Sequence, residues 1–293
     1  MTMIQQTTWS GLIAAYLFLG GLGGGIMALG VVADLFWQPN DESADRRPAI
    51  FAAIAGLLAL GIGSLLLVLD LEQPLAAIYA LANLSSWITW GILFISLYLV
   101  TGVLYVLPYL LKRKVMPLWQ RLVGGGAAVF GLLVAIYTGF LLSSSTGIPF
   151  WNTPALPILF VVSGTSTGSA LLMLYLTALK DSSAMGHKTL HILERLDIGL
   201  MAAELVILFA FMNMAWAGSA GAKVGASFLM GSTGFMLGVP VAGLLLPLIL
   251  EALGLKRKGA LLTVIAALLV LAGGALLRLY ILQAGYYALP YPH

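Results

Sequence analysis

Eight apolar segments, each long enough to cross a lipid bilayer, fill most of a 293-residue chain that is 61% hydrophobic and only 9% charged. A crossing needs about 20 mainly apolar residues, and the hydropathy pattern places the segments at 12–36, 49–70, 87–111, 122–142, 155–179, 197–217, 227–250 and 260–284. With a mean hydropathy of +1.03, so few charges cannot cover the surface of a soluble domain. The runs are too long for barrel strands, and only a helix satisfies its own backbone groups within one crossing. The expected fold is therefore all-α: a polytopic membrane protein of eight transmembrane helices. It reads as a single integral membrane domain over 1–293, with one four-helix half at 1–142 and another at 155–284. The longest connectors, at 37–48, 71–86 and 180–196, leave no room for a soluble domain.

Basic residues orient this bundle. Twelve of the 14 Lys and Arg residues fall in alternate connectors: Arg46 and Arg47; Lys112, Arg113, Lys114 and Arg121; Lys180, Lys188 and Arg195; Lys256, Arg257 and Lys258. The positive-inside rule makes these connectors cytoplasmic, which puts both termini on the outer, periplasmic face. The pI of about 9.1 then reflects topology, and no nucleic-acid role is assigned to it. No Lys or Arg precedes the first apolar run, and that run exceeds a signal-peptide core, so it reads as a helix that stays.

Zero cysteines exclude thiolate metal sites and iron–sulfur ligation by this chain. His187 and His191 lie in a basic connector and His293 at the end, so no expected span offers an axial haem ligand. The 187/191 pair has helical metal spacing but no surrounding carboxylates, and it reads as a solvated connector. No metal and no haem are expected. Gly-Leu-Gly-Gly-Gly at 21–25 follows no strand, so it is not a nucleotide loop. Its small residues suit close helix packing, or alternatively Gly20 to Gly25 leave room for a flat ligand beside the helix.

Ionisable groups inside a bilayer are functional candidates because each is costly there. Arg278 lies about 10 Å below the outer boundary and must snorkel or meet a carboxylate, with Asp70 and Glu72 nearest in depth. Tyr137, roughly 8 Å down, either joins an aromatic belt or donates to a ligand carbonyl. On the inner side Glu204 is about 10 Å deep, with Asp197 opening its helix and Asp34 and Glu251 near helix ends. These four form a candidate proton path, or they are interfacial and packing groups.

Two stretches carry more specific information. One runs Asp70-Leu-Glu-Gln-Pro74, then Asn83-Leu-Ser-Ser-Trp87-Ile-Thr-Trp90-Gly91. The other runs Tyr137-Thr-Gly-Phe-Leu-Leu-Ser143, Pro149-Phe-Trp151-Asn152-Thr153-Pro154, Pro157 and Gly168-Ser-Ala170. With Trp9, Tyr16-Leu17-Phe18 and Gly20-Gly21, they resemble the NrfD/PsrC family of polysulfide-reductase-like, quinone-interacting membrane subunits. The resemblance covers most of the first five helices.

That resemblance implies a haem-free anchor of an anaerobic respiratory oxidoreductase in a bacterial or archaeal cytoplasmic membrane. Menaquinone or ubiquinone would bind in the outer half of the bilayer. Electrons would pass to or from a ferredoxin-like iron–sulfur subunit on the outer face, linked to a molybdopterin catalytic subunit or a multihaem cytochrome. Tyr137 matches the family's hydrogen-bonding tyrosine. Tyr16, Gly20, Trp90, Asp70 and Arg278 are the other expected quinone contacts, with Asp70 or Glu72 handling protons. No histidine stands on the first helix, so the second hydrogen bond to the quinone is open among Asp70, Glu72 and Arg278. The uncharged segment from Gly147 to Pro157 is the expected docking surface. The alternatives are a secondary transporter and a redox subunit that also translocates protons.

Overall fold

A computed structural model describes residues 3–37, 46–70, 86–113, 115–179, 184–257 and 260–288. Among them, eight helices are long and apolar enough to span a membrane. They are α1 (Gly11–Trp37), α2 (Arg47–Asp70), α3 (Trp87–Leu110), α4 (Pro117–Ser143), α5 (Ala155–Ala178), α6 (Ala184–Ala217), α8 (Thr233–Leu255) and α9 (Ala260–Gln283). A short helix, α7 (Ala220–Gly231), precedes α8. The chain is a multi-pass membrane protein.

Three expected spans move, the fourth only in its start, from 122 to Pro117. The sixth apolar span begins at Thr189, not at 197, because the charged residues before Asp197 ride on a continuous helix: Glu194 is buried while Arg195 is exposed. The seventh is displaced from 227–250 to Thr233–Leu255. The stretch before Gly231 belongs to α7, and Ser232 restarts the helix by accepting the Phe235 amide at 3.3 Å. Glu251 thereby lies inside a span. Within α8, Pro240 removes a backbone donor, and residues Leu237–Leu245 form a π-helix around it.

Helices α1 and α5 form the centre: 72% and 61% of their apolar windows are buried, against 28% for α3, α6 and α8. Glycine permits this. A Cβ at Gly131 of α4 would stand 2.7 Å from the Gly24 carbonyl oxygen of α1, and one at Gly164 of α5 would stand 2.8 Å from the Gly21 oxygen. Gly23 packs on Gly56 of α2 in the same way. Backbones of α2, α4 and α5 thus occupy the glycine face at 21–25, and the close-packing reading of that motif is the one realised. At Gly20 the space is filled by Thr138 Cγ2, 3.1 Å from where a Cβ would be.

A feature absent from the sequence reading joins the two ends of the bundle. Strand β1 (Met3–Gln5) pairs antiparallel with β2 (Tyr286–Ala288), Ile4 opposite Tyr287. The Gln6 amide donates to the Gly285 carbonyl at 2.9 Å. This clasp defines a terminal face of the bundle and puts the start of α1 and the end of α9 on the same side.

Candidate functional site

Near the terminal face, α1 to α4 bring together most of the expected quinone contacts. Ser86 caps α3 by accepting the Ile88 amide at 3.3 Å, which sets the register of Trp87, Trp90 and Gly91. Gly91 lies under the Tyr137 ring, where a Cβ would overlap the phenol. Phe94 meets that ring edge-on at 6.5 Å. Tyr137 is only 3% exposed, well below a belt residue's accessibility. Trp87 stacks on Phe140 at 4.5 Å, whereas Trp90 is 41% exposed and tilts against Phe94, a position at the rim.

Tyr16 is fully buried, and its hydroxyl has no hydrogen-bond partner among the described residues. Its electrostatic neighbour is Tyr137, and its ring packs where a Cβ on Gly63 would be 3.5 Å away. Tyr98 lies deeper and ties α3 to α1 by donating to the Gly23 carbonyl at 2.9 Å. Asp70 ends α2 beside the start of α1 and accepts from the Ser10 hydroxyl. Ser10 Oγ in turn accepts the Leu12 amide at 3.0 Å. Glu72 lies outside the described residues.

Arg278 turns away from Asp70. It is fully buried and donates to Ser163 Oγ at 2.6 Å, to its own helix at Gly274 O at 2.9 Å, and to Phe160 O at 3.2 Å. Its guanidinium covers the Phe160 ring at 5.0 Å. Room for it comes from Gly21, where a Cβ would stand 3.2 Å from its nitrogen. The carboxylate that feels its charge is Glu204 of α6, in the neighbourhood of Ser163. In place of the expected partnership with Asp70 there is an inward one, because the glycine seam opens space on the α5 side.

Glu204 continues a polar stripe along α6. Asp197 is fully buried and accepts from Ser166 Oγ at 2.6 Å. Its other oxygen and both Glu251 oxygens have no hydrogen-bond partner among the described residues, and the two side chains are electrostatic neighbours. Further on, Glu194 accepts from Thr263 Oγ1 at 3.0 Å, and His191 Nδ1 stands 3.3 Å from its other oxygen. His191 thus belongs to the stripe and not to a free connector. From Glu194 to Glu204 the stripe covers about 15 Å of helix.

Asp34 stands apart from this stripe. It accepts from Tyr105 OH and Gln120 Nε2, both at 2.6 Å. Arg46 donates to Gln120 Oε1 and Tyr109 OH at 2.8 Å each, with its Nε 3.8 Å from Asp34. These contacts join the ends of α1 to α4 far from the clasp, and none of those given for Asp34 reaches Asp197, Glu204 or Glu251. Sequence reasoning missed Ser163, Ser166, Glu194, Thr263, Tyr105 and Gln120. The signal for the serines was their three-residue spacing on α5, the same helical face that meets α6.

On the terminal face a cleft of about 370 Å³ opens between the 146–154 connector and the corner joining α6 to α7. Phe150, Asn152, Thr153, Phe211, Met214 and Ser219 line it. Trp151 anchors the connector by donating to the Ile281 carbonyl at 2.8 Å and packing on Trp9 at 5.4 Å.

Known proteins are similar to this chain, two of them over almost its full length. One of the chains of the polysulfide reductase of Wolinella succinogenes is 33% identical over 307 aligned positions, covering 96% of this chain and 95% of that protein. Protein NrfD of Escherichia coli is 30% identical, covering 96% of each. One of the subunits of the tetrathionate reductase of Salmonella typhimurium is 28% identical over 61% of this chain and 52% of its own length. The family described as "Polysulphide reductase, NrfD" matches residues 1–290, and the chain belongs to that family.

Proposed function

We propose that this protein is the haem-free, quinone-reactive membrane subunit of a respiratory oxidoreductase. Menaquinone or ubiquinone enters among α1 to α4 near the terminal face, and the basic connectors support placing that face on the outer side of the cytoplasmic membrane. Electrons pass to or from a ferredoxin-like iron–sulfur subunit seated over the Trp151-to-Pro154 connector and its cleft. That subunit leads to a molybdopterin catalytic subunit, or to a multihaem cytochrome. The relatives named for polysulfide and tetrathionate reductases support this assignment.

The observation that carries the reading is the buried, partnerless hydroxyl of Tyr16 beside Tyr137. A buried donor without an acceptor is costly, and a quinone carbonyl supplies the acceptor that the described residues do not. Two phenols at one level address a ring from α1 and α4, and Tyr16 fills the place left open by the missing histidine. Asp70, joined to Ser10 at the rim, takes or gives the protons on the route to water. Tyr137→Phe is expected to weaken binding of a quinol analogue by about 1 kcal/mol, roughly fivefold. Unaltered affinity in titrations of the purified protein contradicts the assignment.

A second reading, that redox turnover also moves protons, is favoured by the acid stripe of Glu194, Glu251, Asp197 and Glu204. His191 stands at its mouth and Arg278 at its inner end, beside α1. Asp34 drops out of that route. Glu204→Gln is expected to abolish proton release in proteoliposomes while turnover continues; unchanged release counts against the stripe.

A further inference from the structure

Hydroxyls on membrane-buried helices ordinarily donate to a carbonyl one turn back. Here Thr101 donates to Leu97 O at 2.6 Å, Thr138 to Ala135 O at 2.7 Å, Thr165 to Val161 O at 2.7 Å and Thr177 to Met173 O at 2.8 Å. Ser64, six residues before the end of α2, does not, and neither does Ser169 of α5. The Ser64 Oγ is buried and makes no hydrogen bond among the described residues.

Its depth is fixed by the layer below. Tyr98 bonds Gly23 O and lies against Gly56, which levels α3, α1 and α2 with one another. From that level towards the terminal face, Tyr16 is seven residues along α1, Ser64 eight along α2 and Gly91 seven along α3. Each rise is about 10–12 Å. Gly91 carries the Tyr137 ring, so Ser64, Tyr16 and Tyr137 share one depth. Its direction follows from two neighbours. Gly63 faces the Tyr16 ring, and Leu57, seven residues earlier, reaches Gly102 of α3. A heptad returns a helix to within about 20° of the same face, so Ser64 looks between α1 and α3 into the four-helix interior.

We infer that Ser64 is a third headgroup contact, donating its hydroxyl to a carbonyl oxygen of the quinone that Tyr16 and Tyr137 address. The inference rests on the quinone assignment above and names a residue for that site. Two hydroxyls at one level without partners are explained together by one acceptor-rich ligand. Separate orphaning of each has no such common cause.

Menadione tests this, because its only hydrogen-bond acceptors are its two carbonyl oxygens. Tryptophan fluorescence of the purified full-length protein is titrated with menadione and with decylubiquinone, for wild type, Ser64→Ala and Tyr137→Phe. Ser64→Ala is expected to weaken both quinones about fivefold, the equivalent of one hydrogen bond. Its melting temperature without ligand should match wild type, since the hydroxyl has no bond to lose there; a purely structural serine would lower it. Unchanged menadione affinity in Ser64→Ala, with Tyr137→Phe weakened, overturns the role of Ser64 and leaves the quinone site standing. Absence of saturable binding to wild type overturns the quinone assignment itself.

Discussion

Substituting a single methyl group for a hydrogen at Gly164 probes the seam between the two central helices. A Cβ there would stand 2.8 Å from Gly21 O and 3.0 Å from Gly21 C and Cα. All three are backbone atoms, so no side chain can swing aside. Restoring ordinary contact at about 3.4–4 Å forces α1 and α5 apart by roughly 0.6–1.2 Å, and overpacking of this kind costs about 1–3 kcal/mol. Gly125 of α4 provides the control, because a Cβ there meets nothing within 4 Å. Gly125→Ala should be neutral or stabilising by up to about 1 kcal/mol through helix propensity. Seven tryptophans report unfolding without a label. For domains of 150–250 residues about 1 kcal/mol moves the midpoint by about 2–4 °C, so Gly164→Ala should melt several degrees below wild type and Gly125→Ala at or above it. Equal melting of the two variants would refute close backbone packing as the basis of the α1–α5 seam.

Arg278→Met strands Glu204 without its countercharge and should cost about 3–5 kcal/mol; adding Glu204→Gln should recover part of the melting temperature, and failure to recover denies the pairing. Tyr105→Phe removes a donor to the Asp34 carboxylate and should cost about 1.5–3 kcal/mol without altering proton release in proteoliposomes, which separates the Asp34 cluster from the acid stripe. Trp151→Phe loses its bond to Ile281 O, about 1 kcal/mol, and should speed proteolysis of the 146–154 connector; an unchanged digestion rate would show that the indole does not hold it.

Hydropathy and charge revealed eight helices because each crossing is a local property of about 20 residues. The boundaries that slipped did so where charge and burial part company. Glu194 is ionisable yet inside, and Ala220–Gly231 is apolar yet a separate helix. The fate of Arg278 shows the larger gap. Depth can be counted along a helix, and it put Asp70 closest; direction around the helix cannot be read without neighbours, and Gly21 and Ser163 lie on the other side. Asp34 was grouped with Glu204 for the same reason, by sign and depth alone. Tyr137 and Tyr16 were identifiable because short motifs tie them to a family, whereas Ser163, Ser166 and Ser64 look like ordinary small residues until their partners, or lack of them, are known.

The strand clasp bears on biogenesis. Helices entering a membrane in order can settle as soon as their neighbours arrive, but β1 has no partner until α9 has emerged and β2 follows it. Gln6 binds Leu282 O and Gly285 O at the same place, and Trp9 reaches Trp151, itself fastened to Ile281. The start of α1, which carries Ser10 and Tyr16, is therefore finished only by the last helix. Chains stalled before residue 281 should insert their early spans yet leave the amino-terminal segment open to protease, so insertion and maturation of the site are separate events in time.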